Sequence, residues 1–143
     1  MKQFKTYNFY QTQNLAKKMA QRPKGNVYAL VGELGSGKTT FAQGFAQGLG
    51  IKDKILSPTF ILIRQHPIPK SSKTLYHLDL YRMDNTEQIK QLGIEEIISD
   101  PDNIVLIEWA EKAKKFLPQN ITWIFLKSIG QYIRELKIKE AHS

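Results

Sequence analysis

Gly32-Glu33-Leu34-Gly35-Ser36-Gly37-Lys38-Thr39 (GELGSGKT) follows Val27-Tyr28-Ala29-Leu30-Val31 and precedes a stretch in which Phe41, Phe45 and Leu49 recur every four residues beside Ala42 and Ala46. The short apolar run has the character of a buried strand, and the later spacing is that of a helix, which Gly50 can close. Between them, Gly32, Gly35 and Gly37 allow backbone turns that turn several N–H groups inward, where they can meet phosphate oxygens. A helix opening near Lys38 adds the positive end of its dipole. In that setting Lys38 can reach β- and γ-phosphates, and the Thr39 hydroxyl can ligate Mg²⁺. Strand, glycine loop and helix in this order form the context that a phosphate-binding P-loop requires.

The chain has 143 residues, 41% hydrophobic and 24% charged, and this composition predicts one ordinary globular domain spanning residues 1–143. No apolar run approaches the roughly 20 residues of a spanning helix, so no membrane role is expected. The opening MKQFKTYNFYQTQN lacks an apolar stretch followed by small residues, so no secretion signal is read. With no cysteine, disulfides and thiolate metal sites are excluded, which suits a cytoplasmic protein. The formal net charge of +8 invites a nucleic-acid reading, but the lysines are scattered and no RNA-reading motif accompanies them.

Elsewhere, helical and strand periods alternate. Thr12 or Asn14 can cap a helix carrying Leu15, Ala16, Met19 and Ala20, which Pro23-Lys24-Gly25 breaks. Thr59 to Arg64 reads as a strand, His66 to Lys73 as an exposed connection, and Leu75 to Leu80 as a further strand. Asp84 with Glu87 can form a capping box for a helix through Leu92, closed by Gly93, and Ile94 to Ile98 continues as a second short helix. Asn103 to Ile107, Ile121 to Leu126 and Tyr132 to Ile138 complete the strands. The expected fold is α/β: a three-layer P-loop NTPase-like domain with a mostly parallel central sheet.

Such a fold also needs an acid at the end of a buried strand. Glu108 closes Ile104-Val105-Leu106-Ile107, and Asp79 closes Leu75-Tyr76-His77-Leu78. Glu108 follows the more uniformly apolar run and is the favoured metal partner of Thr39, directly or through water. Asp79 would then order the metal waters or the attacking water. A guanine-reading Asn-Lys-x-Asp element, an Asp-x-x-Gly switch and a Leu-Ser-Gly-Gly-Gln signature are all missing, which favours ATP and argues against transporter-type ATPases. A small metabolite or nucleoside kinase is the alternative, although four arginines offer little for a lid. A third class is a nucleotide-regulated RNA-binding module.

Taken in order, GELGSGKTT, Ser57-Pro58-Thr59-Phe60, Tyr76-His77-Leu78-Asp79-Leu80-Tyr81-Arg82, Leu92-Gly93 and Ile107-Glu108-Trp109 resemble the motifs of the TsaE (YjeE) family, from about Thr12 to Gly130. That resemblance implies a cytoplasmic ATPase of bacterial tRNA threonylcarbamoyladenosine biosynthesis; with no strong general base evident in the sequence, hydrolysis by the protein alone is expected to be slow and to speed up with partners. The resemblance implies work with TsaB, TsaC and TsaD on the adenosine next to the anticodon in tRNAs reading codons that start with A, and leaves direct and indirect tRNA contact as alternatives. By position, it puts the phosphate cradle on Gly35, Ser36, Gly37, Lys38, Thr39 and Thr40, and Mg²⁺ on Thr39 and Glu108. It further implies that Phe9 to Thr12 and Gly130 approach the nucleotide, and that Ser57-Pro58-Thr59 is a switch in which Thr59 senses the γ-phosphate or its metal. Trp109 either covers the site or serves the core, and His77 is either a working group or a hydrogen-bonded strand histidine. The family often has Glu-Trp-Pro and Gly-Arg where this chain has Glu108-Trp109-Ala110 and Gly130-Gln131; Arg134 is a possible substitute for that arginine.

Overall fold

Val27 and Ala29 alternate with Tyr28 and Leu30 along one strand, and all four are buried, so this strand must be covered on both faces. The computed structural model describes residues 1–53 and 62–142. In chain order its elements are β1 (Lys2–Thr6), α1 (Phe9–Gln21), β2 (Val27–Val31), α2 (Lys38–Gly48), β3 (Ile63–Pro67), β4 (Thr74–Asp79), α3 (Thr86–Gln91), α4 (Ile94–Ser99), β5 (Asn103–Glu108), a 3₁₀ helix (Ala110–Phe116), β6 (Thr122–Ser128) and β7 (Arg134–Lys139). The strands form one seven-stranded sheet in the order β1-β7-β6-β2-β5-β4-β3. Its centre, β6-β2-β5-β4, is parallel, and the outer pairings β3-β4, β6-β7 and β1-β7 are antiparallel.

The two faces of β2 explain the layers. Tyr28 and Leu30 pack with Ala16 and Ala20 of α1 and Phe41 and Phe45 of α2. Val27 and Ala29 pack instead with Ile89 of α3, Ile94 and Ile98 of α4 and Ala113 of the 3₁₀ helix. Each fully buried Leu, Ile or Phe contributes about 1.5–3 kcal/mol relative to exposure, so the core on each face is what holds the parallel centre flat against its helices. The helices α1 and α2 approach closely: a Cβ on Gly44 would overlap the backbone of Gln13. A larger residue there would force the two helices apart. The expected three-layer α/β arrangement, with a parallel centre, is what forms.

Local expectations needed revision at several places. The first helix is capped by Asn8, whose side chain accepts from Gln11 N at 2.9 Å, and not by Thr12 or Asn14. Thr12 lies inside the helix with its hydroxyl 2.7 Å from that of Thr6. The helix α3 is capped by Asn85, which accepts from Gln88 N, one residue after the expected Asp84. His66 and Pro67 belong to β3, and His66 and Ile68 are buried, so the segment expected as an exposed connection begins later. A proline is tolerated there because β3 is, among the described residues, an edge strand of the sheet. Neither β1 nor the 3₁₀ helix after Glu108 was expected. The expected strand from Thr59 begins outside the described residues, within 54–61, as do the Ser57-Pro58-Thr59 switch and Thr59 itself.

Candidate functional site

In a parallel α/β sheet the crevice lies beyond the carboxyl ends of the strands, and here β2, β4 and β5 end side by side. Asp79 and Glu108 are register partners on β4 and β5, while Leu30 of β2 stands opposite Glu108. The loop after β2 therefore passes directly over the two acids. A cleft of about 480 Å³ opens at this point, lined on the loop side by Gly35, Gly37, Lys38, Thr39 and Thr40 and on the strand side by Asp79, Tyr81, Arg82, Glu108 and Trp109.

The loop is shaped by Gly37, which caps α2 with φ of 104°, a conformation that a residue with a side chain rarely adopts. Lys38 opens the helix and folds back over the loop. Its Nζ donates to Gly32 O, to Glu33 O at 2.9 Å and to Ser36 Oγ at 3.4 Å. It also lies 4.3 Å from the Trp109 ring centroid, a cation–π distance. Burial pushes the Lys38 ammonium below its ordinary pKa, while the Glu108, Glu111, Asp79 and Glu33 carboxylates pull the other way. Lys38 thus has backbone oxygens that a phosphate can replace at little loss.

The acid wall is held differently. Glu108 is only 2% exposed, and a buried carboxylate must be compensated. Its Oε1 accepts from Thr39 Oγ1 at 3.4 Å, and its Oε2 lies 2.6 Å from His77 Nε2. Asp79 is buried too, and its Oδ1 accepts from Tyr81 N at 3.0 Å, turning the chain out of β4. Lys112 donates to Tyr81 O at 2.6 Å and Met83 O at 3.1 Å, which pins that turn. Beside Glu108, Trp109 has φ of 59°, unusual for a bulky residue and costing about 1–3 kcal/mol. That backbone turns the chain into the 3₁₀ helix and sets the indole 5.1 Å from the Tyr81 ring.

Mg²⁺ takes oxygen donors and is usually held by one or two side chains together with phosphates and water. The Thr39 hydroxyl and Glu108 carboxylate, 3.4 Å apart beside the glycine loop, fit that requirement. Among the described residues no cluster of three or more His, Cys, Asp or Glu forms an all-protein cage, as a nucleotide-dependent Mg²⁺ site also does not need one.

A second hollow of about 210 Å³ adjoins the cleft, sharing Gly37, Thr40 and Arg134 with it and adding Phe9, Thr12, Gln131 and Tyr132. Phe9 and Thr12 thus lie beside the loop, lining the hollow with Gly37 and Thr40. Gly130 stands one step behind the lining, its carbonyl accepting from Arg134 Nη1 at 3.0 Å. Ser36 is buried beneath the loop and faces Lys38. Tyr81 and Arg82 join the cleft without having been named as site residues, although both stand in the YHLDLYR stretch, and Arg134, read above as a possible substitute for the family's arginine, joins it as well.

The family model described as "Threonylcarbamoyl adenosine biosynthesis protein TsaE" matches residues 6–136. The chain is 40% identical over 139 residues to the tRNA threonylcarbamoyladenosine biosynthesis protein TsaE of Bacillus subtilis, covering 95% of this chain and 85% of that one. It is 36% identical over 115 residues to the TsaE of Treponema pallidum, covering 80% of this chain and 82% of that one. The crystal structure of Bacillus subtilis YdiB superposes with a TM-score of 0.80 at 33% identity, covering 99% of this chain and 86% of that one. A phosphate-binding loop facing two strand-end acids on this sheet, together with these likenesses, makes the chain a nucleotide-binding P-loop protein that belongs to the TsaE family.

Proposed function

We propose that this protein binds ATP with Mg²⁺ and hydrolyses it slowly to ADP and phosphate, as the accessory ATPase for threonylcarbamoylation of the adenosine next to the anticodon in tRNAs reading codons that start with A. The place in tRNA threonylcarbamoyladenosine biosynthesis is supported by the names of its relatives. The observation that carries the chemistry is the convergence of Lys38, Thr39 and Glu108 on one cleft. Working partners are TsaB and TsaD, with TsaC functionally upstream, in the cytoplasm; among the described residues no helix is long and apolar enough to cross a membrane.

Each residue has a role in this reading. Gly35 to Thr40 cradle the phosphates, and Lys38 leaves its loop carbonyls for the β- and γ-phosphate oxygens. Thr39 and Glu108 hold Mg²⁺, which when bound neutralises charge on the phosphates. Asp79, at the same sheet level as Glu108, positions the attacking water. Phe9, Thr12 and the Gly130 turn, through Arg134, flank the part of the nucleotide beyond the phosphates. Trp109 covers Lys38 and thereby the phosphate end of the cleft. No strong general base stands among these groups, so hydrolysis by the isolated protein is slow.

Labelled ATP incubated with the isolated protein tests the reaction class. Release of free labelled phosphate with no phosphorylated small molecule is the expected result. Transfer of the label to a nucleoside or other small acceptor would make the protein a kinase and end this reading.

A further inference from the structure

His77 is the one fully buried histidine at the cleft among the described residues, and the roles above leave it without a task. It lies on β4, the strand beside Glu108, with its Nε2 2.6 Å from Glu108 Oε2. Its other ring nitrogen, Nδ1, is buried with no hydrogen-bond partner among the described residues. These two facts point to one tautomer. An ionised carboxylate only accepts, so Nε2 carries the proton and donates it; a bare Nδ1 without a donor is less costly than an N–H without an acceptor. Donation from Nε2 satisfies the Glu108 end and leaves at Nδ1 only a bare acceptor, the less costly orphan.

We propose that His77 is a positioning residue that occupies Oε2 of Glu108 and thereby presents Oε1, alone, to the Mg²⁺ side of the cleft. The division of the carboxylate is visible: Oε2 faces His77 and Oε1 faces the Thr39 hydroxyl. A short, charge-assisted hydrogen bond in a site excluded from water fixes the carboxyl plane. Without it, Glu108 can rotate and offer both oxygens or neither, and a small ion that demands near-octahedral geometry loses its preset ligand. Groups that orient a metal ligand typically change metal affinity about tenfold or more when removed.

The proposal rests on Glu108 taking up Mg²⁺, and the test separates the two. ATP binding is measured by tryptophan fluorescence with excess Mg²⁺ and again with EDTA, and Mn²⁺ binding to the protein–ADP complex is followed by electron paramagnetic resonance. Four proteins are compared: wild type, Glu108→Gln, His77→Leu and His77→Gln. Glu108→Gln loses the gain in ATP affinity that Mg²⁺ gives; if it keeps that gain, the metal reading falls and the role of His77 with it. With that arm as expected, His77→Leu binds ATP in EDTA within about twofold of wild type but loses about tenfold in Mn²⁺ affinity, and His77→Gln, which keeps an N–H donor, recovers most of it. An undiminished Mn²⁺ affinity in His77→Leu, or no recovery in His77→Gln, overturns the role of His77 while leaving Glu108 its own. Should His77→Leu not fold, nitrogen NMR of the wild-type imidazole decides: an Nε2–H tautomer whose signal moves with Mg²⁺·ATP and not with ATP in EDTA is expected. An Nδ1–H tautomer, or a signal indifferent to Mg²⁺, contradicts the proposal.

Discussion

On the loop wall of the cleft, Lys38 is satisfied by oxygens no more than six residues away in sequence, Gly32 O, Glu33 O and Ser36 Oγ. On the strand wall, Glu108 is satisfied by His77, 31 residues away, and by Thr39, 69 residues away. The first arrangement is local and exchangeable: phosphate oxygens can replace loop carbonyls without disturbing the sheet. The second is tertiary and set by the pairing of β4 with β5. One wall rests on hydrogen bonds within its own loop, and the other on the pairing of the strands.

The largest effect is expected on the loop wall. Lys38→Ala removes several hydrogen bonds to charged oxygens, worth about 1.5–3 kcal/mol each when made, and should weaken ATP binding about 100-fold in equilibrium dialysis. A Lys38→Ala protein that binds ATP as tightly as wild type would make the loop wall dispensable. Glu108→Gln comes next and separates the walls. In EDTA it should change ATP affinity by less than about threefold, and with Mg²⁺ at saturating ATP it should slow phosphate release by about 30-fold, equivalent to about 2 kcal/mol of barrier. Equal losses in binding and turnover would mean that both walls serve binding alone.

Trp109 bridges the two, since it follows Glu108 in sequence and lies over Lys38. A cation–π contact of this kind is worth about 0.5–1 kcal/mol, so Trp109→Ala should weaken ATP binding about threefold by titration calorimetry. Unchanged affinity with a lowered melting temperature would assign the indole to the core. The smallest effect lies away from the cleft and serves as a control. Burial depresses the pKa of His66, against the pull of Asp53, so its charged form is disfavoured in the folded chain. Its contribution to stability is therefore complete above the unfolded value of about 6.5 and is lost as pH falls through the lower folded value. His66→Gln should flatten the decline in melting temperature below about pH 6.5 and leave ATP binding unchanged. A steeper decline in the variant would reverse the assigned direction.

The same division decides how much could be read from residues alone. The β2-loop-α2 unit was legible because its strand, glycines and helix are neighbours in sequence and their periods are unambiguous. The strand-end acids were legible as positions, because each closes an apolar run. Their environment was not: the diagonal from His77 to Glu108 exists only in the register that pairs His77 with Leu106 and Asp79 with Glu108. The strand β1 escaped notice because Lys2, Gln3, Phe4 and Lys5 are all exposed, and it becomes a strand only through β7, where Lys2 meets Ile138. Arg134 reaches the loop for a similar reason, since the β6-β7 turn folds it over Gly37. The cap of α1 was misplaced because the aromatic pair Phe9 and Tyr10 follows Asn8 directly and carries no helical period of its own.

The most direct measurement is the rate of phosphate release from ATP by this protein alone and after mixing with TsaB and TsaD. An ATP-timed accessory turns over slowly by itself and several-fold faster with both partners, and the stimulation disappears in Lys38→Ala. Fast turnover by the isolated protein, unchanged by TsaB and TsaD, would contradict it.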